Sequence, residues 1–229
     1  MKKWFFMVIA LLVVLVNPAL AQGKGYTLLQ DPQPVENPNE IEVIEFFSYN
    51  CIHCKGFDGA LMHWAKQRPS DVSFKRVQIV FRKDQAGLAR FFATMQALDL
   101  SDALNHAAFD AVLDQHLELA AGFAKNPDPA VLEKVKKWLG SALGAWFKTP
   151  KGKAWHTAHP KFTVDAFVDA SQSFGVTAAV DRAEQMTRAY KIAGTPTIVI
   201  NGQYVLDSAG PQRSINEMNA VIAMVRKQR

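Results

Sequence analysis

The sequence predicts an α/β fold into which an all-helical segment is inserted. Three observations lead to this prediction: a β-α-β pattern near the amino terminus, a β-β-α pattern at the carboxyl terminus, and several amphipathic helices without a convincing strand between them. The chain has 229 residues, of which 49% are hydrophobic and 21% are charged, so it has enough apolar material for a packed core. A disordered chain is therefore not expected.

The amino-terminal pattern starts with residues 41–47 (IEVIEFF), whose β-branched and aromatic content is typical of a buried strand. From Cys54 onward, apolar residues recur at helical spacing until Arg68 and Pro69 interrupt the pattern. Residues 72–80 then predict a second strand, which completes the β-α-β unit. The two cysteines of the chain therefore lie where the first strand meets the first helix.

The carboxyl-terminal pattern is a hairpin followed by a helix. An Asn-Gly dipeptide separates residues 197–200 from residues 203–206, and this is the strongest short-range hairpin signal in the chain. A last helix is predicted from Ser214, because Ser214 and Glu217 have the spacing of a capping box. These segments complete the α/β part of the chain.

The middle of the chain predicts helices only. We divide the chain accordingly into a first α/β part (residues 22–83), an inserted helical domain (84–180) and a second α/β part (181–229). The first predicted helix covers residues 88–98, the second starts after a cap at Ser101, and the third starts at Asp128-Pro129. Two more are predicted over residues 164–173 and 177–191.

Residues 146–161 differ from the other helical segments because they mix aromatic residues with lysines. Such a mixture can bind single-stranded nucleic acid or a membrane surface. The favoured alternative is a solvated loop whose aromatic side chains dock onto neighbouring helices, because the overall charge is modest.

The first 21 residues predict a cleavable signal peptide. Two lysines precede a short apolar run, which ends in Asn17 and Pro18 and is followed by the small-residue pattern Ala19-Leu20-Ala21. The run is too short for a membrane span, which needs about 20 apolar residues. Cleavage after Ala21 removes two lysines and lowers the formal charge from +5 to +3, which is too mild to indicate nucleic-acid binding. We expect an exported protein.

The cysteine pair carries the predicted chemistry. Cys51 and Cys54 are three positions apart at the start of a helix, where unpaired N–H groups and the helix dipole stabilise a thiolate. Cys51 is expected to be the accessible nucleophile with a lowered pKa, Cys54 the resolving cysteine, and His53 a further stabiliser of the thiolate. Stabilising the thiolate favours the dithiol over the disulfide, so the protein is expected to be an oxidant.

Two other uses of the pair are less attractive. A zinc site would need further ligands, and the distant His156 and His159 could complete one only if the fold happened to bring them close. A purely structural disulfide would close so small a loop that it would remove little entropy from the unfolded chain. Redox chemistry without a metal is therefore the favoured interpretation.

The segment EFFSYNCIHC (residues 45–54) and the later Gly194-Thr195-Pro196-Thr197 resemble the DsbA family of periplasmic disulfide donors. The likeness covers nearly the whole chain after the signal peptide and implies a thioredoxin-like fold with an inserted all-helical domain. It implies that Cys51 is the nucleophile, that Cys54 is its partner and that His53 is the main stabiliser of the thiolate. It also implies that Pro196 is a cis-proline facing the cysteines, that the Thr195 backbone binds an extended substrate, and that Glu45 is the buried acid of the family.

The resemblance further implies a monomeric periplasmic enzyme that introduces disulfides into exported polypeptides with free thiols. It uses no cofactor beyond its cysteine pair, and a DsbB-like quinone-linked membrane oxidase would reoxidise it. Ile52 stands where familiar members carry proline, and Thr195 is common in reductases and isomerases of the thioredoxin superfamily. A periplasmic disulfide reductase or isomerase is therefore the first alternative, and a peptide-binding chaperone with incidental cysteines is the second.

Overall fold

The computed structural model describes residues 25–206 and 210–229, so the predicted signal peptide lies outside the described part. In these residues five strands form one mixed sheet with the order β1-β5-β4-β2-β3, in which β2 and β3 are parallel and the other neighbouring pairs are antiparallel. The strands are β1 (Tyr26–Leu28), β2 (Ile41–Phe47), β3 (Val72–Gln78), β4 (Thr197–Ile200) and β5 (Tyr204–Leu206).

Helices in the described residues surround this sheet and form the insertion. They are α1 (Ile52–Gln67), α2 (Ala86–Ala97), α3 (Ser101–Leu113), α4 (Leu119–Gly122), α5 (Pro129–Trp146), α6 (Pro150–Ala158), α7 (Val164–Ser171), α8 (Phe174–Ala189) and α9 (Pro211–Lys227). The predicted β-α-β and β-β-α units and the helical segment between them are confirmed, and the fold is thioredoxin-like with a helical insertion.

Strand β2 lies between β3 and β4, and all seven of its residues are buried. On one face of the sheet, Ile41 and Val43 pack in a cluster with side chains of α1 and α9; on the other face, Ile44 and Phe46 pack with residues that include Tyr190. A strand covered on both faces has no polar alternation, which explains its nearly continuous apolar sequence. Its carboxyl end delivers the chain directly to the cysteine pair.

The inserted helices share a core with the end of β2. Phe47, Tyr49 and Cys54 belong to the same buried cluster as apolar side chains of α2, α3, α5 and α7. The Tyr49 ring packs against Phe109 with a centroid separation of 4.8 Å. The helical insertion is therefore packed onto the segment that carries the cysteines.

The segment before β2 contains a strand that the sequence did not predict. Strand β1 pairs with β5, and beyond it the N–H of Leu29 donates to Gln203 O at 2.9 Å and that of Gln33 donates to Gly202 O at 2.8 Å. Gly202 has φ +70°, and a Cβ there would lie 2.0 Å from Gln33 O. Three residues are too few to produce a periodic pattern, so only the pairing reveals this strand.

The predicted start of the last helix at Ser214 is wrong. Helix α9 begins at Pro211, with Gly210 at the N-cap, because the fixed φ of proline suits the first helical position. Glu217 accepts a hydrogen bond from Arg213 Nε at 2.7 Å rather than closing a capping box. The Ser101 cap is also wrong, since Ser101 is the first residue of α3 and Leu100 occupies the cap position.

The predicted loop at residues 146–161 is wrong in part, because α6 occupies residues 150–158. Thr149 caps this helix by accepting from the N–H of Gly152 at 3.1 Å, and Pro150 is its first residue. The predicted docking of the aromatic side chains is confirmed, since Trp155 packs on the helical core and its Nε1 donates to Leu98 O at 3.2 Å.

Helix α8 runs through the boundary proposed at residues 180 and 181. It packs against α2, and its Ala183 and Met186 contact the cluster on one face of the sheet. Among the described residues, no helix is long and apolar enough to cross a bilayer.

Candidate active site

Cys51 lies in the turn between β2 and α1 and is the N-cap residue of α1, as predicted. Its backbone is extended (φ −108°, ψ 113°), its N–H donates to Ser48 O at 3.0 Å, and its Sγ accepts from the N–H of Cys54 at 3.4 Å. A sulfur in this position replaces the oxygen of an ordinary N-cap side chain. The helix start therefore offers its N–H groups to the Cys51 sulfur.

The thiol of Cys51 is acidified by its hydrogen bonds. Partial burial alone would raise its pKa. Hydrogen bonds with the side chain of Thr195, with the N–H and side chain of Cys54 and with the N–H of His53 outweigh burial and lower the pKa below its usual value. A thiol with a lowered pKa is both a more abundant nucleophile and a better leaving group.

Cys54 has the opposite character. It lies one turn further into α1, its side chain is fully buried, and burial raises its pKa far above the usual value. Both cysteines are free thiols in the structure. Because Cys51 is partly exposed and Cys54 is not, an incoming thiol or disulfide meets Cys51 first.

The loop before β4 closes over Cys51. The Thr195-Pro196 peptide bond is cis, and Thr195 O accepts a hydrogen bond from the Cys51 thiol at 3.2 Å. The hydroxyl of Thr197 donates to Gly194 O at 2.8 Å and braces this loop. The fold thus brings together Cys51, Thr195 and Pro196, three of the predicted site residues.

His53 is exposed on the first turn of α1. Its backbone N–H contributes to the lowered pKa of Cys51, whereas the hydrogen bonds of the described residues include none from its ring to either cysteine. A role for the imidazole as the main stabiliser of the thiolate stays a prediction.

A shallow groove runs beside the cysteines, with a cavity of about 190 Å³. Apart from His53, the described residues that line it have uncharged side chains, and Ile52 among them is 60% exposed. The lining residues are Ile52, His53, Gly56, Phe57, Pro196, Gly210, Pro211 and Ser214.

Glu45 is fully buried in the middle of the sheet and is bound to a cation. Arg76 Nε donates to its Oε2 at 2.5 Å, and Arg76 Nη2 lies 3.0 Å from Asp58 Oδ1. Burial raises the pKa of Glu45, the charge of Arg76 opposes this, and the nearby Asp58 adds to it. The guanidinium also lies 4.2 Å from the ring centroid of Phe47, which packs in the same cluster as Cys54.

The sequence interpretation missed the partners of Glu45. Asn105 Nδ2 donates to Asp58 Oδ1 at 2.8 Å, and Tyr49 OH donates to Asn105 Oδ1 at 2.9 Å, so a polar network leads from the sheet into the helical insertion. One signal was available: Asp58 is a charged residue on the apolar face of α1. Another was the parallel pairing of the predicted strands, which places Arg76 opposite Glu45.

Among the described residues, no three His, Cys, Asp or Glu side chains are grouped in a way that could hold a metal ion. His156 and His159 stack on Phe147 and Trp155 of the helical insertion, with centroid separations of 4.5 and 4.2 Å.

Comparison with family models gives no match. Comparison with individual proteins gives several relatives named thiol:disulfide interchange protein DsbA. The protein from Burkholderia cepacia is 31% identical over 81% of this chain and 75% of its own length. The protein from Bordetella parapertussis is 33% identical over 81% and 75%, and that from Azotobacter vinelandii is 30% identical over 89% and 84%.

Solved structures agree with the sequence relatives. The oxidoreductase NmDsbA1 from Neisseria meningitidis superposes with a TM-score of 0.72 at 28% identity, covering 93% of this chain and 97% of that one. Pseudomonas aeruginosa DsbA gives a TM-score of 0.70 at 27% identity, covering 90% and 94%. With identities above 30% over most of its length and the cysteine pair at the start of α1, the chain belongs to the DsbA family.

Proposed function

We propose that this enzyme introduces disulfide bonds into exported polypeptides through its Cys51-Cys54 pair. The chain is a thiol:disulfide oxidoreductase by its family, and the direction of transfer is what the site chemistry adds. The observation that carries the proposal is the asymmetry of the two thiols, one partly exposed with a lowered pKa and one fully buried with a raised pKa.

The exchange proceeds in two displacements. A substrate thiolate attacks Cys51 Sγ of the oxidised enzyme, forms a mixed disulfide and displaces the Cys54 sulfur, which takes up a proton. A second substrate thiolate then attacks the substrate sulfur of the mixed disulfide and displaces Cys51 as a thiolate. The substrate loses two electrons to form its disulfide, and the enzyme gains them as a dithiol.

The lowered pKa of Cys51 favours this direction. Interactions that stabilise the Cys51 thiolate lower the free energy of the reduced enzyme and leave the disulfide without the same benefit. The disulfide of the oxidised enzyme is therefore easier to reduce than a disulfide whose thiolate is not stabilised. The enzyme is therefore proposed to act as an oxidant.

Glu45 and His53 are proposed as positioning residues. The buried pair of Glu45 and Arg76 lies against Phe47, in the cluster that contains Cys54, and can set the electrostatic potential at that sulfur. The His53 imidazole, when protonated, would add a positive charge at the start of α1. Thr195 and Pro196 are proposed to bind the substrate backbone by strand addition next to Cys51.

The proposed setting is the periplasm. A signal peptide over residues 1–21, removed after Ala21, would export the chain. The proposed partners are exported polypeptides with free thiols and a DsbB-like quinone-linked membrane oxidase that returns the enzyme to its disulfide form. We propose a monomer with no cofactor other than the cysteine pair.

Ile52 and Thr195 suggested a reductase or isomerase as the alternative, but family membership favours neither that alternative nor a chaperone with incidental cysteines. Equilibration with glutathione buffers separates donor from reductase. We expect a reduction potential more than about 60 mV above the roughly −270 mV of thioredoxin. A potential at or below that of thioredoxin would contradict the donor function. Cys51→Ser serves as the redox-inactive control.

A further inference from the structure

Helix α1 contains two glycines that its own packing does not require. Gly56 and Gly59 both lie in the interior of α1 and are exposed. A Cβ built at either position meets no atom of the described residues within 4 Å, and neither glycine has a positive φ. Glycine inside a helix is less stable than alanine, so each glycine lowers stability without a steric reason within the described fold.

The two glycines differ in what they face. Gly56 lines the groove beside the cysteines together with Ile52, Phe57 and Pro196. Gly59 lines none of the cavities described for this protein. Gly56 therefore marks a place where another molecule can approach the backbone of α1 closely.

The position of the groove identifies that molecule as the substrate. Ile52 adjoins Cys51 in sequence, and Pro196 follows Thr195, whose carbonyl is hydrogen bonded to the Cys51 thiol. In an extended peptide, side chains two residues apart lie on the same face, about 7 Å from each other. When the cysteine of such a peptide is joined to Cys51, the side chain two residues before or after it can therefore reach the groove. Among the described residues that line the cavity of about 190 Å³, His53 alone has an ionisable side chain, which suits one large apolar side chain.

We propose that Gly56 is a specificity-determining residue, whose missing side chain leaves room in the groove for a large apolar residue two positions from the reactive cysteine of the substrate. This inference rests on the proposed disulfide exchange through Cys51. It predicts that a single methyl group at position 56 narrows the groove and removes the preference for large side chains.

The test compares Gly56→Ala with Gly59→Ala as a matched control in the full protein. Both alanines should raise the melting temperature by about 2 °C, because both remove a glycine from the interior of the same helix. Each oxidised variant is mixed with peptides that carry two cysteines and either Phe or Ala two positions before or after one of them. The rate of enzyme reduction gives a Phe-to-Ala rate ratio for each variant.

We expect the wild-type protein and Gly59→Ala to prefer the Phe peptide, and Gly56→Ala to lose about 10-fold in the ratio, as one methyl group in an apolar subsite commonly costs. An unchanged ratio in Gly56→Ala, an equal loss in Gly59→Ala, or a wild-type protein without any preference would overturn the inference. Failure of the wild-type protein to oxidise even the Ala peptide would instead refute the proposed exchange reaction.

Discussion

Replacing Arg76 by methionine tests the buried charge network most directly. The side chain of Arg76 is 7% exposed and is the cation that the structure places between two buried carboxyl groups, Glu45 and Asp58. Methionine keeps an unbranched apolar side chain in the same space but leaves both carboxyl groups without their cation. Removing one partner of a buried ion pair typically costs about 3–5 kcal/mol.

The loss should be visible in urea unfolding followed by circular dichroism. With a slope of about 2 kcal/mol per molar urea, a loss of about 4 kcal/mol lowers the midpoint by roughly 2 M. The deficit should also depend on pH. Burial raises the pKa of Glu45 in the folded state, so the folded Arg76→Met protein binds protons more readily than the unfolded chain does. Its stability is therefore expected to fall as the pH rises from about 4 toward the folded-state pKa.

Two variants control this experiment. Arg226→Met removes the exposed pair of Arg226 with Asp71, whose Nε and Oδ2 atoms are 2.7 Å apart, and should leave the urea midpoint unchanged. The double variant Glu45→Leu, Arg76→Met removes one of the two uncompensated carboxyl groups as well and should be more stable than Arg76→Met alone. A loss below about 1 kcal/mol at neutral pH in Arg76→Met would refute the view that this pair is a true buried ion pair.

The remaining predictions concern the cysteine pair. In the folded, reduced protein, iodoacetamide should modify Cys51 and reach Cys54 only after unfolding; equal labelling by mass spectrometry would contradict the burial of Cys54. Thr195→Val should raise the Cys51 pKa, because it removes a hydrogen-bonding side chain that lowers it; an unchanged thiolate titration in the ultraviolet would exclude this contribution. His53→Ala tests the proposed contribution of the imidazole ring and should also raise that pKa; no shift would leave His53 with its backbone N–H alone. Because the pKa of Cys51 is lower in the folded chain than the roughly 8.5 of an unfolded one, the reduced protein should be stabilised over Cys51→Ser above that pH and lose this advantage as the pH falls through the folded pKa.

The sequence predicts the parts of the fold that rest on long periodic patterns. Strands β2 and β4, the hairpin and most helices lie where β-branched runs, an Asn-Gly turn and apolar stripes place them. Strand β1 was not predicted, because three residues are too few to show a periodic pattern and the strand is defined by its pairing with β5. The helix over residues 150–158 was not predicted, because lysines interrupt its apolar stripe. Its start is set locally by the Thr149 cap and the proline that follows it.

The active site was predicted where the chemistry is local and missed where it is tertiary. Cys51 and Cys54 derive their different character from successive positions on one helix, which the sequence displays. The partners of Glu45 come from β3 and α1, and Asn105 continues the network from α3; their contacts exist only once the strands are paired and the helices are packed. A buried acid can be recognised in a sequence, but its counter-ion depends on the register of the neighbouring strand.

The burial of Cys54 beneath Cys51 has a consequence for how the enzyme handles more than one client. Because Cys51 is partly exposed and Cys54 is buried, the folded protein can form a mixed disulfide with one other polypeptide at a time. Two chains cannot be attached to it simultaneously, so it cannot act as a covalent bridge between them. The burial of Cys54 therefore limits the mixed disulfide to one substrate chain per enzyme molecule.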